Sequence, residues 1–407
     1  MFIKMASQFR TLTRLAVTAV FLAWSFSYLQ GRFYALSLIF RNKPENLPEI
    51  NAFSTSSLKF ANRVRNCEDG IIIEEDSFAI LSCDPGRDLW NTVMGTFYPQ
   101  RSLIPNGKLW IYRYDVDGPD DESESGSEKA LSPIQFVDYP EPVSFHPLGV
   151  EYHRATSTLF VCNHNIEGSR VDIFTLDLST PSKPVATHAR SIIHPLIRTP
   201  NSVVALSENE LYVTNDHYVR RKDYAPLALF ETYAGIPGGT VAYVNLAAEP
   251  IVVRTVARGA FANGVALLNE TTVAVAITAA AEVRLYKRLQ DNSLEQIDAI
   301  KTPFMPDNVS AEKDGSLLIA GHPHPPSLDK LVHARRECID AEGVVPKECW
   351  KSTSPSWVAR WTAEEGLENL YVSAGEFGSS ATAAKDVKKN VGIITGLYEN
   401  GILVWRE

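Results

Sequence analysis

Carboxylate and amide side chains flank predicted strands at several points of this chain. Glu75 lies between two apolar runs, Asn201 and Asn263 each precede one, and Asp307-Asn308 precedes another. A hard cation such as Ca²⁺ takes roughly six to eight oxygen ligands and favours carboxylate and carbonyl oxygens. These five side chains therefore predict a calcium site, provided that the fold brings them together.

Taken singly, each of these residues has an ordinary structural explanation. Asn263 precedes Gly264, a pair that is typical of turns, and Asp307-Asn308 can cap its own backbone. The amides share one feature, which is that each comes immediately before a predicted strand. A fold that gathers the starts of its inner strands around one axis would bring them together.

Short β-rich runs separated by turn residues dominate the chain after residue 42, and few segments have helical periodicity. The clearest runs cover 108–112, 158–162, 171–176, 210–214, 240–244, 251–256, 272–277 and 282–286. Such strands suit a sandwich, a barrel or a propeller. The length favours an all-β propeller of four-stranded blades, since one sandwich needs fewer residues.

Residues 1–42 form a separate segment. Basic residues precede the apolar run 15–30, and a second apolar run ends at Phe40. This pattern is typical of a signal peptide or a signal-anchor helix, and both direct the remainder, 43–407, into the secretory pathway. No small-x-small cleavage site follows, which favours a membrane anchor, with a cleaved signal as the alternative.

Two insertions interrupt the strand pattern. Residues 115–129 are acidic and rich in Ser and Gly, which predicts a solvated loop rather than a calcium loop. Residues 323–355 have mixed helical character and predict an excursion over one face. This second insertion carries Cys338 and Cys349, which form either a disulfide bridge or a pair of inert thiols.

Composition and motifs narrow the function classes. The net charge is −9 with 21% charged residues, and no basic stripe is present, which argues against nucleic-acid binding. The sequence lacks a nucleophile elbow, an HExxH motif and a P-loop. Asn269 and Asn308 begin glycosylation sequons; we expect Asn269 to lie on an exposed turn and Asn308 to be buried.

Several segments together resemble the serum paraoxonase/arylesterase family over roughly residues 60–405. They are 66–81, FHPLGVEYH at 145–153, LFVCNH at 159–164, TPNSVVAL at 199–206, LYVTNDHY at 211–218, VARGAFANGV at 256–265, PDNVS at 306–310 and LLIAGHP at 317–323. The resemblance implies a six-bladed β-propeller with two calcium ions in its central tunnel. It also implies hydrolysis of lactones or aryl esters.

Carried over position by position, the resemblance implies one set of ligands for a catalytic calcium ion: Glu75, Asn201, Asn263, Asp307 and Asn308. A calcium ion with an open coordination position polarises a substrate carbonyl and stabilises the oxyanion that forms when water attacks. A nearby histidine or carboxylate would activate that water.

The water-activating group departs from the family pattern. Leu148 occupies the position of the family's catalytic histidine, whereas His164 matches its second histidine. His146 could substitute, because residues i and i+2 of an extended segment face the same way. Asp307 is a further candidate base, and His322 matches a position that could line the substrate pocket together with Leu148.

The second, structural calcium site of the family is only partly retained. The resemblance implies Asp76 and the backbone carbonyl of Val150 as ligands, but Ser202 stands where the family has an aspartate. The family's disulfide between its first and last strands is also incomplete. Cys67 is present but the C-terminus has no cysteine, so we expect strand pairing alone to close the ring.

Three functional hypotheses follow. The first is a calcium-dependent lactonase or arylesterase, whose activity the missing histidine at Leu148 would impair unless another group activates the water. The second is a non-catalytic propeller that calcium stabilises and that binds a partner through the face carrying 323–355. The third is another propeller chemistry, of the gluconolactonase or strictosidine-synthase type, since a shared architecture does not fix the reaction.

Overall fold

The computed structural model describes residues 2–117, 129–140, 144–338 and 352–407. Within these residues the strands form six antiparallel sheets of four or five strands and one small hairpin. The sheets are the blades of a six-bladed β-propeller, which confirms the predicted all-β fold. Every run proposed as a strand from the sequence forms one.

The first three blades follow one another along the chain. The first contains β3 (Cys67–Ile73), β4 (Phe78–Cys83), β7 (Lys108–Tyr112) and β8 (Leu131–Pro133), with the hairpin β5 (Trp90–Asn91) and β6 (Thr96–Phe97) inserted. The second contains β10 (Pro147–His153), β11 (Thr158–Asn163), β12 (Arg170–Asp177) and β13 (Val185–Ile192), with β9 (Gln135–Val137) parallel to β13 at its edge. The third contains β14 (Pro200–Ala205), β15 (Glu210–Asn215), β16 (Gly239–Asn245) and β17 (Val252–Gly259).

The remaining blades complete the ring. The fourth contains β18 (Ala262–Asn269), β19 (Thr272–Ile277), β20 (Glu282–Arg288) and β21 (Leu294–Lys301). The fifth contains β22 (Met305–Ala311), β23 (Leu317–His322), β24 (Ser356–Thr362), β25 (Gly366–Ser373) and β1 (Ile50–Asn51). The sixth contains β26 (Ser380–Asp386), β27 (Val391–Gly396), β28 (Ile402–Arg406) and β2 (Thr55–Lys59).

Strand pairing between the two ends of the chain closes the ring, as expected from the sequence. β2 pairs with β28 in antiparallel register, from Thr55 opposite Arg406 to Lys59 opposite Ile402. The seam is well packed, because the fully buried Trp405 stacks on Phe53 with ring centroids 4.5 Å apart. Burying side chains of this size contributes about 2–3 kcal/mol each.

The cysteines pair within a blade. Cys67 and Cys83 are opposite one another on β3 and β4 and form a disulfide. Cys162 is a buried free thiol. Cys338 is disulfide-bonded, but Cys349 lies outside the described residues, so the predicted pairing of the two stays a prediction.

In the part of the chain that the structure describes, three α-helices accompany the blades: α1 (Phe2–Arg41), α2 (Arg221–Ala234) and α3 (Pro325–Glu337). In the described part of the chain, no helix combines the length and the apolar character that crossing a membrane requires, so the predicted anchor is not confirmed. α3 forms part of the predicted excursion at 323–355. Most of the acidic insertion 115–129 lies outside the described residues.

The last turns of α1 dock against the propeller. Ala35 and Leu38 are buried against Ala281 and Met305. The amide nitrogen of Asn42 donates to the carbonyl of Pro303 at 2.7 Å. The end of α1 is therefore held over the fourth and fifth blades, at one end of the central channel.

Candidate metal centre and substrate cavity

The first strand of every blade lies innermost, and consecutive first strands contact one another around the channel: β3, β10, β14, β18, β22, β26 and again β3. Each of these strands has a register irregularity near its start. A bulge of this kind bends the strand and redirects its side chains. In five of the six strands the irregularity spans a residue that faces the site described below: Glu68, Leu148, Asn201, Asn263 and Asp307.

Glycines let these inner strands approach closely. A Cβ on Gly149 would lie 2.6 Å from the carbonyl oxygen of Asn201, and one on Gly264 would lie 2.5 Å from the Cα of Asn308. Real Cβ contacts are not that short, so both positions require glycine. The Asn263-Gly264 pair is thus part of the inner wall of the channel and not a simple turn.

Four oxygens on the inner strands have no hydrogen-bond partner although they are buried. They are Oε2 of Glu68 and the Oδ1 atoms of Asn201, Asn263 and Asn308, whose side chains are only 2–3% exposed. Buried polar atoms are nearly always hydrogen-bonded, because leaving them unpaired costs about 1–3 kcal/mol each. Four such oxygens on the inner strands indicate a binding site for a hydrogen-bond donor or a cation.

The amide nitrogens of Asn263 and Asn308 donate hydrogen bonds that hold these two side chains in place. Asn263 Nδ2 donates to Asp307 Oδ1 at 2.6 Å and to Thr278 Oγ1 at 3.1 Å. Asn308 Nδ2 donates to Glu68 Oε1 at 3.1 Å and to Thr382 Oγ1 at 3.0 Å. Because the nitrogens are occupied by these contacts, the amide oxygens are the atoms left to bind a ligand.

The electrostatics of the cluster favour a cation. Burial, reinforced by the neighbouring Asp69 and Asp307, raises the pKa of Glu68 well above its ordinary value. A positive charge at the cluster would favour the ionised carboxylate instead. No group of three or more His, Cys, Asp and Glu side chains that could hold a metal was found in the described part of the chain. The cluster has two carboxylates and three amides, a donor set that fits a hard, oxygen-preferring cation.

Four of the five predicted ligands, Asn201, Asn263, Asp307 and Asn308, are brought to the inner strands of the channel, but Glu75 is not. Glu75 is exposed on the turn between β3 and β4, where its carboxylate pairs with Lys313 at 2.7 Å. Glu68 is the carboxylate that reaches the cluster, from the other end of β3. The prediction used Glu75 and Asp76, the acidic pair that follows β3. The pair Glu68-Asp69 lies at the start of β3, which is the position that the asparagines occupy in their own strands.

The predicted second ligand set is likewise not assembled. Asp76 lies at the surface and makes a two-pronged ion pair with Arg154 at 2.6 and 2.8 Å. Asp69 is the acid near Val150, and its carboxylate accepts hydrogen bonds from the backbone N–H groups of Val150 and Gly70 and from Thr382 Oγ1. These donors use the oxygens that a second cation would need.

Neither histidine of the predicted relay lines the cavity. His164 Nε2 contacts the carbonyl of Pro200 at 2.7 Å and Nδ1 contacts Thr92 Oγ1, and burial lowers its pKa. His146 is buried with Nδ1 3.1 Å from Asp84 Oδ2. The sequence had suggested that His146 and Leu148 face the same way. The bulge after Pro147 breaks the i, i+2 alternation, so only Leu148 faces the cavity.

His322 does line the cavity, as predicted. It is the last residue of β23, and its Nε2 lies 2.9 Å from Asp307 Oδ2. Its Nδ1 is buried without a partner. A neutral imidazole that donates Nε2–H to the carboxylate keeps a free lone pair on Nδ1, which is the arrangement of a general base oriented by an acid.

Four members of the cluster, Glu68, Asn201, Asn263 and Asp307, share a cavity of about 110 Å³ with His322. Asn308 is hydrogen-bonded to Glu68 but does not line this cavity. The inner strands supply the oxygen-bearing cluster, and the three helices close the cavity from outside and add further polar residues such as Arg32 and Arg221. Its apolar wall consists of Leu36, Ile39, Val93, Met94, Leu148, Phe261, Ala279, Met305, Leu328 and Leu397. A mostly apolar enclosure with a few converging polar groups is the usual form of a small-molecule site.

The six blades make this chain a β-propeller. The oxygens on its inner strands form a candidate metal site in the channel. Residues 102–338, more than half of the chain, match the family described as Arylesterase. The chain therefore belongs to the arylesterase family.

The similar proteins include serum paraoxonase/arylesterase 2 of Gallus gallus, 29% identical over 294 residues that cover 70% of this chain and 75% of that protein. Serum paraoxonase/arylesterase 1 of Mus musculus is 28% identical over 204 residues, which cover 48% of this chain and 55% of the mouse protein. This chain thus spans about half the length of the mouse relative. Among solved structures, a luciferin-regenerating enzyme has a TM-score of 0.50 at 12% identity, covering 87% of this chain and 95% of its own, which supports the fold alone.

A second cavity, of about 390 Å³, lies at the opposite end of the inner strands and contains acidic residues. Glu312 is 8% exposed, and its Oε2 has no partner. Burial raises the pKa of Glu312 to about 8, and burial does the same for Glu151. Ionisation of either carboxyl group therefore opposes folding.

We expect the free energy of unfolding to fall as pH rises from about 5 to about 9, and we expect Glu312→Gln to weaken this pH dependence. The folded pKa of about 8 exceeds the ordinary 4.5, so the contribution is full below about pH 4.5 and lost above about pH 8. Between about pH 5 and pH 9 the decrease in unfolding free energy should be smaller in the variant by on the order of 2 kcal/mol. Urea titrations measure this, with Glu75→Gln as an exposed control; equal slopes in all three proteins would contradict it.

Proposed function

We propose that this protein is a calcium-dependent hydrolase of lactones or aryl esters. The observation that carries the proposal is the set of buried oxygens without partners, three of which belong to residues that line the same cavity as His322 and Asp307. Membership of the arylesterase family supports it. The similar serum paraoxonases carry arylesterase or lactonase in their names.

The residues that would hold Ca²⁺ are Glu68, Asn201, Asn263, Asp307 and Asn308. When bound there, the ion would supply polarisation of the substrate carbonyl and stabilisation of the negative charge on its oxygen. The chain itself supplies the geometry, because each of these residues is fixed at the start of an inner strand.

His322 is the base in this proposal. Its Nδ1 accepts the proton of the attacking water, while Nε2–H remains bonded to Asp307 Oδ2 at 2.9 Å. Asp307 orients the ring and stabilises the imidazolium that forms. Leu148 then forms part of the apolar wall that excludes bulk water, and hydrolysis does not require a histidine at position 148.

The secretory localisation and the membrane contact expected from the sequence remain proposals. The disulfide between Cys67 and Cys83 supports an oxidising compartment. Exposed apolar side chains on α1 and α2 support contact with a lipid surface; they are Phe26, Leu29, Phe33, Phe40, Tyr224, Leu227 and Phe230.

Calcium removal tests the proposed metal site. We expect a chelator to abolish hydrolysis of an aryl acetate and of a lactone, and to lower the melting temperature, with both restored by added calcium. Asn263→Ala should weaken calcium affinity roughly ten- to a hundredfold, because an oxygen ligand is lost. Asn269→Ala, on an exposed turn, is the control. Melting curves identical in chelator and in excess calcium would contradict the site, whereas a calcium-dependent melting temperature without turnover would favour the non-catalytic propeller.

Replacing the base tests the mechanism. His322→Gln should lower kcat roughly a hundredfold or more, since general-base catalysis contributes about that much. The calcium dependence of the melting temperature should persist in this variant. His153→Gln, outside the cavity, should keep full activity. Unchanged kcat in His322→Gln would show that another group activates the water.

Liposome flotation tests the membrane contact. The double variant Phe33→Ser/Phe230→Ser should float less than the wild-type protein, because two exposed aromatic side chains are lost from α1 and α2. Ile297→Ser, which removes an exposed apolar side chain from β21, is the control. Equal flotation of all three proteins would argue against this surface.

A further inference from the structure

Three arginines line the substrate cavity: Arg32 from α1, Arg87 from the turn Pro85–Asp88, and Arg221, the first residue of α2. Arg87 is 2% exposed. In each of the three, Nε is buried without a hydrogen-bond partner. A cavity with a mostly apolar wall thus contains three permanent positive charges.

These arginines form no ion pair with any carboxylate that the structure describes. Three other arginines with little exposure are neutralised: Arg65 and Arg335 pair with Asp88, and Arg170 pairs with Asp172. A buried charge without a partner is strongly unfavourable, so such charges are normally paired. The missing ion-pair partners indicate that the cavity arginines bind an anion that is not part of the chain.

Each arginine is held by one backbone carbonyl. Arg87 Nη2 donates to Pro147 O at 2.9 Å, and Arg221 Nη1 donates to Met94 O at 2.9 Å. Arg32 Nη1 donates to Ala279 O. These neutral acceptors fix the guanidinium groups in the wall but do not neutralise them, and several donor positions of each group are left available.

Glycines make room for two of the guanidinium stems. A Cβ on Gly95 would lie 3.1 Å from Cδ of Arg221, and one on Gly235 would lie 2.4 Å from Nη1 of Arg32. Gly235 ends α2 with a φ of +66°. Both side chains are therefore seated against the wall rather than extended freely into solvent.

The acids that line the same cavity have partners of their own, and Arg87 attracts Glu68 without forming an ion pair with it. Glu68 and Asp307 belong to the oxygen cluster, and Asp329 accepts a hydrogen bond from Tyr233 at 3.4 Å. With the oxygen cluster occupied by a divalent cation, its two carboxylates are compensated. The three arginines then outnumber Asp329, the one acid of the wall that remains among the described lining residues.

We infer that the cavity selects lactones or esters that carry a carboxylate group elsewhere in the molecule. The inference rests on the proposed hydrolase function and specifies its substrate class. Arg221 contacts the carboxylate, because its half-buried side chain is accessible, and the buried Arg87 adds positive charge to the same cavity wall. Guanidinium groups bind carboxylates through paired, charge-assisted hydrogen bonds.

A matched pair of substrates tests this. Mono-4-nitrophenyl glutarate carries a free carboxylate, and its methyl ester is neutral and of similar size. The wild-type protein should have a kcat/KM at least about tenfold higher for the anionic ester, which is the discrimination that one charge-assisted hydrogen bond supplies. Arg221→Gln should abolish the preference, and Arg221→Lys should retain part of it.

Arg220→Gln is the matched control. Arg220 is the neighbouring residue, exposed and paired with Asp223 at 2.7 Å outside the cavity, so the preference should be unaffected. Equal kcat/KM for the two esters in the wild-type protein, or a preference unchanged in Arg221→Gln, would overturn the inference while leaving the hydrolase function intact.

Absence of turnover with both esters would overturn the proposed function instead, and calorimetry with glutarate then decides the anion site. Glutarate binding that weakens about tenfold or more in Arg221→Gln but not in Arg220→Gln supports the site. No glutarate binding to the calcium-loaded wild-type protein overturns it.

Discussion

The convergence of six bulged strands on one axis is the constraint on which the rest of this structure depends. Each blade contributes its first strand to the channel, and each of these strands departs from regular register near its start. The irregularity directs side chains from positions as distant as Glu68 and Asn308 to one point, where they contact directly. The closely packed backbones that allow this leave no room for a Cβ at Gly264.

The convergence has an energetic cost that a cation would remove. Amide and carboxylate oxygens that face each other without partners destabilise the fold, and burial makes ionisation of Glu68 unfavourable. The same geometry brings Asp307 into contact with His322. In the proposed function, binding of a metal, activation of water and stability of the propeller centre would therefore depend on residues that contact one another at the starts of the inner strands and on His322 of β23.

Helices and loops outside the inner strands form much of the wall of the cavity above this centre. Because the wall and the centre are formed by different elements, substrate specificity can vary while the propeller stays the same. Helices α1, α2 and α3 lie outside the ring of blades and provide part of the cavity wall, including Leu36, Ile39 and Leu328 together with Arg32 and Arg221. Changes in the helices alter what enters the cavity, whereas changes in the inner strands alter the chemistry. Arg87 lies between the two groups, on the turn that follows β4.

The propeller and four of the five ligands could be predicted because both depend on local patterns. Short strands, turn residues before them, and amides at strand starts are visible in the sequence. The acidic pair was assigned wrongly, because Glu68 and Glu75 flank the same strand and only the direction of β3 in its blade decides which end meets the axis. His146 was misjudged since the alternation rule fails at a bulge.

The amino-acid sequence by itself determined the strand-rich architecture and the oxygen-bearing residues at strand starts, because short-range periodicity encodes these features. Its resemblance to a known family showed that Leu148 stands where that family has a histidine. Tertiary structure alone decided that Cys67 pairs with Cys83, that His322 rather than His164 faces the cavity, and that three arginines lie there without an ion-pair partner among the described residues. These outcomes depend on contacts between residues far apart in the chain, and blade packing, not local pattern, fixes such contacts.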